Sequence, residues 1–398
     1  MQEIKPFNAQ EEKVCREYHL LTDEMLALKK KIMGYPVNEE SGLENFYRWY
    51  LESGLLNSMF NNVGNPSQPS HFFLNTLEIE KKLIDYFSEL FHFPENDSWG
   101  LIGTGGTDGN NHGIYFGKKM LRGLTGELPI VYVSAEAHYS NMRLADLQGL
   151  QVKLIPADVE GRMDVAAFAK ALEPDKPALM IYALGTTFKG GMDDITALNK
   201  VLEDKGVKNV YRHVDAALFG GYLPFTRRND LVSQKLLQYD SIAVSGHKFF
   251  GIDEPCCVFL CRKKVFEAQS NDKIPYLESD MPMIGCSRSA LTPLKLYWLL
   301  QTKGWYTYAR QASVCVKNAK FLHQELLRLH WPAWRNEASN TVYFKRPGQM
   351  LVDKYNLVCD YDDRLCGDLA HIVVMQHVTQ PLLEDFLRDL AYEEKIPH

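Results

Sequence analysis

Between Trp99 and about Leu260, short β-like runs alternate with helical patterns, and this rhythm constrains the fold more than any other feature of the chain. The runs are Ile130–Val133, Val152–Ile155, Ala178–Tyr182, Val210–Val214, Ser241–Val244 and Cys257–Leu260. Between most of them lie amphipathic stretches such as Asp164–Leu172 and Asp194–Leu202, which open on residues suited to cap a helix. Such alternation predicts a mostly parallel sheet with helices on both faces. Ligands of these sheets bind outside the carboxyl ends of the strands. The polar residues of this chain collect at those ends.

The flanks read differently. Residues 8–33 predict a helix with apolar positions at Val14, Leu21, Met25, Leu28 and Ile32, stopped by Gly34-Tyr35-Pro36. Its modest apolar content suits an arm lying on a neighbour rather than a domain. A second apolar pattern covers Leu43–Leu56, then come the polar, Pro-punctuated loop Asn61–Phe72 and a helix Leu77–Phe91. After Lys263 the pattern is mainly helical (Leu291–Thr302, Ala309–Leu329), with β-like runs Asn340–Phe344 and His371–Met375 and a closing helix Gln380–Leu390. The expected division is an N-terminal helical arm over residues 1–70, a large domain over 71–262 and a smaller α+β domain over 263–398.

Composition excludes several classes of function. The chain has 44 basic and 50 acidic residues in 398, a net charge of −6 with no block of like charges. That argues against a nucleic-acid or anionic-membrane partner. No apolar run approaches a membrane span, and Met1–Pro6 lacks the cationic and apolar pattern of a signal peptide. The eight cysteines are scattered, with no disulfide framework and no CxxC pair, which points to a reducing, cytoplasmic setting. Cys359 and Cys366 have no His or Cys at ligand spacing, so no metal is expected.

Four stretches carry candidate chemistry. Gly103-Thr104-Gly105-Gly106-Thr107-Asp108-Gly109-Asn110 follows Leu101-Ile102 and opens a helical run, a pattern equally suited to a plain turn and to holding an anion such as phosphate. Glu136-Ala137-His138-Tyr139-Ser140 places a histidine after a strand, as stacking partner, acid or base, or capped loop residue. His213-Val214-Asp215-Ala216-Ala217 puts a carboxylate at a strand end, where it either caps the next element or keeps a ring nitrogen protonated. Ser245-Gly246-His247-Lys248 ends a strand on a lysine, which alone reads as a solvated loop residue. Burial pushes a lysine toward its neutral form, which forms Schiff bases with carbonyls. Asp193 and Asp194 read as a turn and a helix cap. Phosphate loop, histidine, aspartate and lysine follow one another at successive strand ends. An aldehyde cofactor with a phosphate and a pyridine ring, pyridoxal 5′-phosphate, uses all four.

On these motifs, together with Gly34-Tyr35-Pro36, Asn61-Asn62-Val63-Gly64, Gly185-Thr186-Thr187, Asn340-Thr341-Val342 and Ala370–Met375, the chain resembles the group II pyridoxal-phosphate-dependent amino-acid decarboxylases. The similarity runs from about residue 34 to 392 and lies with the subgroup of bacterial histidine decarboxylases and plant serine decarboxylases. It implies the aspartate-aminotransferase-like fold, type I: an α/β domain on a mostly parallel seven-stranded sheet, with a smaller α+β C-terminal domain. It also implies a homodimer with the site at the subunit interface and an amino-acid substrate. Carried over residue by residue, Lys248 bears the Schiff base, Asp215 pairs with the pyridine nitrogen, and His138 stacks on the ring and neighbours the substrate carboxylate. Gly105, Gly106, Thr107, Ser245 and His247 hold the phosphate, with Ala217 beside the ring and Thr187 near its phenolic oxygen or the substrate carboxylate. Tyr276, in Ile274-Pro275-Tyr276-Leu277, stands where the subgroup carries a proton-donating loop tyrosine. Ser70, His71, Phe72 and Arg288 fall in segments expected near the substrate.

Some segments depart from the subgroup's pattern. Where it usually reads Ser-Arg-Asn-Gly-His-x-Pro, this chain has Ser287-Arg288-Ser289-Ala290-Leu291-Thr292-Pro293; where it reads Ser-Asn-Tyr, Ser70-His71-Phe72 stands; and Ala137 replaces a threonine. Loss of an imidazole and a hydroxyl implies a less polar pocket. Histidine is the first expected substrate, with serine or another small amino acid second. Altered or lost catalysis on a retained cofactor site is the alternative.

Overall fold

The computed structural model describes residues 6–29, 31–269, 273–274 and 279–393. Helix α1 (Ala9–Lys29) stands apart with no buried residue, while α2 (Glu44–Glu52) anchors itself through Phe46, and α3 (Leu77–Leu90) buries Leu83, Ile84 and Phe87. Full burial of a side chain of that size contributes about 2 kcal/mol. Helix α4 (Gly106–Thr125) follows the glycine-rich loop.

The six runs predicted as strands, joined by a seventh, form one sheet. Its strands are β1 (Ser98–Gly103), β2 (Ile130–Ser134), β3 (Val152–Ile155), β4 (Ala178–Ala183), β5 (Val210–Asp215), β6 (Ser241–Ser245) and β7 (Cys257–Arg262). They lie in the order β1-β7-β6-β5-β4-β2-β3, and only β7 runs against its neighbours. The interior strands β2, β4 and β6 are buried along their whole length, as strands covered on both faces must be. Alternate residues serve the two faces: Met180 and Tyr182 join one core layer, Leu179 and Ile181 the other. Register aligns Ala183 with Asp215 and Asp215 with Ala243, so β4 and β5 end level and β6 runs on to Ser245.

A second, antiparallel sheet contains β8 (Ala333–Trp334), β9 (Thr341–Lys345), β10 (Val358–Asp362) and β11 (Gly367–Val373), ordered β8-β9-β11-β10. The helix Leu291–Arg328, broken at Gly304 (φ +68°), spans both cores: Leu296, Leu299 and Ala312 pack with the large sheet, Leu322 and Leu326 with the small one. Met33 joins the small core, and Met33 to Pro36 run beside that sheet, with Met33 N–H donating to Tyr355 O and Val373 N–H to Met33 O.

The two sheets meet at a buried ion cluster. Lys189 Nζ lies 2.5 Å from both Glu136 Oε1 and Asp362 Oδ2, and Arg364 Nη2 reaches the same two carboxylates at 3.3 and 2.7 Å. Arg364 and Lys189 together hold the Asp362 carboxyl well below the usual carboxylate range. Removing one partner of a buried pair leaves an uncompensated charge. Lys189→Met is therefore expected to cost about 3 kcal/mol, read as a lower urea midpoint, with part recovered when Asp362→Leu is added.

Candidate active site

Along the large sheet, the strand ends converge on one cavity of about 400 Å3. At the end of β1, Gly105 adopts φ +98° and turns the chain into α4. A Cβ on Gly106 would sit 2.7 Å from Ser245 Oγ, so only glycine lets the helix start come this close to β6. The amides of the first turn of α4 thus face the cavity with the positive end of the helix behind them. Thr104 N–H donates to Asp108 Oδ2 at 2.9 Å and fixes the loop from its far side.

Asp215, at the end of β5, is buried at 7% exposure. Its Oδ2 accepts from Asn110 Nδ2 at 2.8 Å and Asn141 Nδ2 at 2.9 Å, while Oδ1 has only a long bond from Ala217 N–H at 3.3 Å. No cation is hydrogen-bonded to it among the described residues. Lys248 follows β6, and burial pushes its amine below the usual lysine range, opposed by the nearby Asp215 charge. His138 Nδ1 accepts from Ser140 N–H at 3.3 Å and lies 2.7 Å from Ser140 Oγ, which leaves Nε2 to carry the proton of the neutral ring. Burial holds His138 and His247 below the ordinary histidine range.

Of the residues singled out from the sequence, Lys248, Asp215, His138, Thr187 and Ala217 line this cavity, as do Gly105, Gly106, Thr107, Ser245 and His247. Others do not. Arg288 is buried in an ion pair with Glu80, Nη2 to Oε2 at 3.0 Å, and also donates to Gly64 O; its guanidinium is spent on the scaffold and does not line the cavity. Ser70, His71 and Phe72 lie on a surface loop outside it. The altered stretch Ser289–Thr292 is also structural: Ser289 Oγ accepts Thr292 N–H at 3.0 Å, Ala290 is buried, and Leu291 packs on the main core. Tyr276 lies outside the described residues.

Other lining residues carried weaker signals. Tyr35 and Pro36, read from the sequence as a helix stop, form part of the wall with Val358 and Val373. His371 braces that wall: its Nε2 is 2.8 Å from Gly34 O and its Nδ1 2.7 Å from Phe188 O, with the ring stacked on Phe188. Asn110 stood in the glycine loop without a role, and Asn141 had no signal at all, since a neutral amide resembles any surface asparagine until its partner is known.

The donor set fits pyridoxal 5′-phosphate. A buried carboxylate holding an open oxygen suits a protonated ring nitrogen, a neutral-leaning amine suits an aldehyde, and a glycine-cleared helix start suits a phosphate. The pyridoxal-dependent decarboxylase conserved domain matches residues 117–333. Serine decarboxylase 1 of Oryza sativa subsp. japonica is 33% identical over 366 residues, 91% of this chain and 72% of that protein. Histidine decarboxylase of Vibrio campbellii is 30% identical over 378 residues, 92% of each. Among solved structures, L-methionine decarboxylase from Streptomyces sp.590 superposes with a TM-score of 0.81 at 20% identity, covering 97% of this chain and 96% of that one, a likeness of fold.

Burial of neutral histidines makes stability depend on pH. His138, His213 and His247 all titrate below their ordinary value of 6.5 when folded. Below that pH the unfolded chain takes up protons that the folded rings refuse, so stability falls on acidification. Asp193, raised to about 6 by burial, works the other way, but as one group against three. Unfolding free energies from urea titrations at pH 7 and pH 5 are expected to differ by on the order of 1–3 kcal/mol, the acid side being weaker.

Proposed function

The chain belongs to the family of pyridoxal-dependent decarboxylases, and we propose that within it the substrate is L-histidine, converted to histamine and carbon dioxide. It is a carboxy-lyase acting on an amino acid, with pyridoxal 5′-phosphate as cofactor. The observation that carries the site assignment is the meeting of Lys248, Asp215 and the start of α4 in one cavity. When bound, the cofactor supplies an electron-withdrawing pyridine that accepts the electron pair left as carbon dioxide departs.

Each residue of the chain has a task beside it. Lys248 offers an amine that is more readily neutral than an ordinary lysine, the form able to bond a carbonyl carbon. Asp215 keeps a proton on the ring nitrogen by presenting a buried negative charge. Gly105, Gly106, Thr107, Ser245 and His247 bind the phosphate through helix amides and short polar groups. Ala217 leaves room for the ring, the Thr187 hydroxyl meets a polar edge, and the neutral His138 ring forms a wall. Tyr276, which lies outside the described residues, is the residue we propose to return the proton to the alpha carbon after the carbon–carbon bond breaks.

The wall of Tyr35, Pro36, Val358 and Val373 supports a neutral side chain on the substrate. Among the described residues lining the cavity, Asp215 is the one carboxylate, and it is assigned to the cofactor, so a cationic side chain would find no partner. The neutral imidazole of histidine meets that condition, and relatives named histidine decarboxylase support it. Serine is the second reading, supported by relatives named serine decarboxylase. A panel of L-amino acids decides: histidine is expected to yield amine and carbon dioxide in equal amounts. Faster turnover of serine, or keto acid in place of amine, would sink the proposal, and cofactor uptake without any turnover would mark lost catalysis. Borohydride reduction is expected to fix the cofactor on Lys248, with Lys248→Ala gaining no mass.

The same reading takes residues 1–70 as an arm, 71–262 as the cofactor domain and 263–398 as the small domain of a cytoplasmic homodimer with a shared site. Support for the dimer comes from α1, where Tyr18, Leu21, Met25 and Leu28 are all more than half exposed at alternating spacings of three and four. Phe73, at 90% exposure, adds a second uncovered apolar group beside Ser70–Phe72. Eight unpaired cysteines support the cytoplasmic assignment. Light scattering is expected to give twice the chain mass of 45.6 kDa, and removal of residues 1–29 to weaken the dimer; a monomer at micromolar concentration would refute it.

A further inference from the structure

Beneath the cavity a line of buried polar side chains runs away from Asp215. Asn110, whose Nδ2 donates to Asp215, turns its Oδ1 to His213 Nε2 at 3.0 Å. His213 Nδ1 lies 2.8 Å from Ser241 Oγ, which accepts from the Tyr211 hydroxyl at 2.7 Å. Tyr211, His213 and Ser241 are wholly buried, and Asn110 is 2% exposed. Tyr211, His213 and Asp215 alternate along β5 and therefore share one face of the sheet.

Donors and acceptors fit this line in one direction. Asn110 must present its amino group to a carboxylate, so its carbonyl oxygen needs a donor. His213 Nε2 is that donor, and a ring protonated there accepts the Ser241 hydroxyl proton at Nδ1. Ser241 Oγ then has a lone pair for Tyr211. Burial keeps the ring in the neutral form that this pattern requires.

Helix α4 is shaped to admit the line. Gly109, Gly113 and Gly117 are four residues apart and form a stripe facing the sheet. A Cβ at Gly113 would lie 2.3 Å from His213 Nδ1, and one at Gly117 would lie 2.4 Å from the Tyr211 ring. Gly109 meets Ala243 in the same way.

We infer that His213 is a positioning residue for Asp215: its Nε2–H locks the Asn110 amide with the amino group toward the carboxylate. Asn110 and Asn141 then hold Asp215 through two uncharged donors, and its negative charge stays available for the cofactor's protonated ring nitrogen. This rests on the role proposed for Asp215. Without the His213 donor the buried Asn110 carbonyl oxygen has no partner, so the amide is held from one side only and its grip on the carboxylate loosens.

The test compares His213→Phe, which removes the donor, with His213→Gln, whose amide can replace it, and with Tyr211→Phe and Asp215→Ala. The readouts are the dissociation constant of pyridoxal 5′-phosphate from the apoprotein, kcat and KM, and the urea midpoint. His213→Phe is expected to weaken cofactor binding and lower kcat by about 10–100-fold each, with KM for the amino acid changed less than about threefold. His213→Gln should restore most of both losses. Tyr211→Phe, at the far end of the line, should lower the urea midpoint without comparable loss of cofactor affinity. If Tyr211→Phe and His213→Phe fall together and glutamine rescues neither, the line is only structural and the inference fails. If His213→Phe keeps affinity and kcat within twofold while Asp215→Ala loses both, the inference fails and the Asp215 role stands. If Asp215→Ala loses neither, that role fails first. Should His213→Phe not fold, His213→Asn, too short to reach Asn110, takes its place with the same expectations.

Discussion

A carboxylate held under a cavity by two asparagine amides is the interaction on which the rest of this structure depends. Burying a carboxylate is costly unless donors satisfy it, and a salt-bridging cation would satisfy it at the expense of its charge. Asn110 and Asn141 satisfy it while leaving that charge in place. The arrangement demands that α4 and the start of the helix Ser140–Leu147 both reach the end of β5. It also demands strands in register, as β4 and β5 provide by ending level at Ala183 and Asp215. Lys248, one strand over, then sits close enough for the Asp215 charge to raise its proton affinity while burial lowers it more.

Charged pairs appear in the scaffold instead of the floor of the site. Glu80 accepts from Ile102 N–H, Asn62 Nδ2 and Arg288, which joins α3, β1 and the strand pair Asn61–Val63 and Ser287–Ser289. The Lys189 cluster joins the two sheets just behind His138 and Thr187. Both clusters are closed: each buried charge has its opposite at hydrogen-bond distance, so neither lends charge to a ligand. His371 completes the frame by reaching the carbonyls of Gly34 and Phe188 at once, tying the cavity wall at Gly34–Pro36 to the loop that carries Thr187.

Much of this was legible in the sequence, for physical reasons that differ from residue to residue. Strand ends could be read because continuous apolar runs stop where burial stops. Lys248, Asp215, His138 and the glycine loop could be read because ionisable groups at strand ends need an explanation. The Arg288–Glu80 pair was not legible, because Glu80 is 208 residues away and sits in a helix whose neighbours Glu78, Lys81 and Lys82 face solvent. An exposed-looking pattern hid the single buried acid. Asn141 was illegible because an asparagine means nothing until its donors are aimed, and only the fold aims them. The glycines of α4 look like helix weaknesses at about 1 kcal/mol each; the side chains of β5 beneath them show what that cost admits.

The departures from the subgroup pattern bear on specificity differently once their places are known. A histidine-to-leucine change at Leu291 suggests a drier pocket if the residue touches substrate. In this chain Leu291 starts the long helix and packs on the main core. Thr292 Oγ1 reaches Glu254, and Ala290 O accepts from Thr76 Oγ1. These substitutions therefore adjust how one helix begins and how it docks. They stand apart from the cavity wall of Tyr35, Pro36, Val358 and Val373, whose backbone the small sheet and His371 hold in place. A wall of neutral side chains separates neutral ligands by shape, and a missing methylene against such a wall is worth on the order of 10–200-fold.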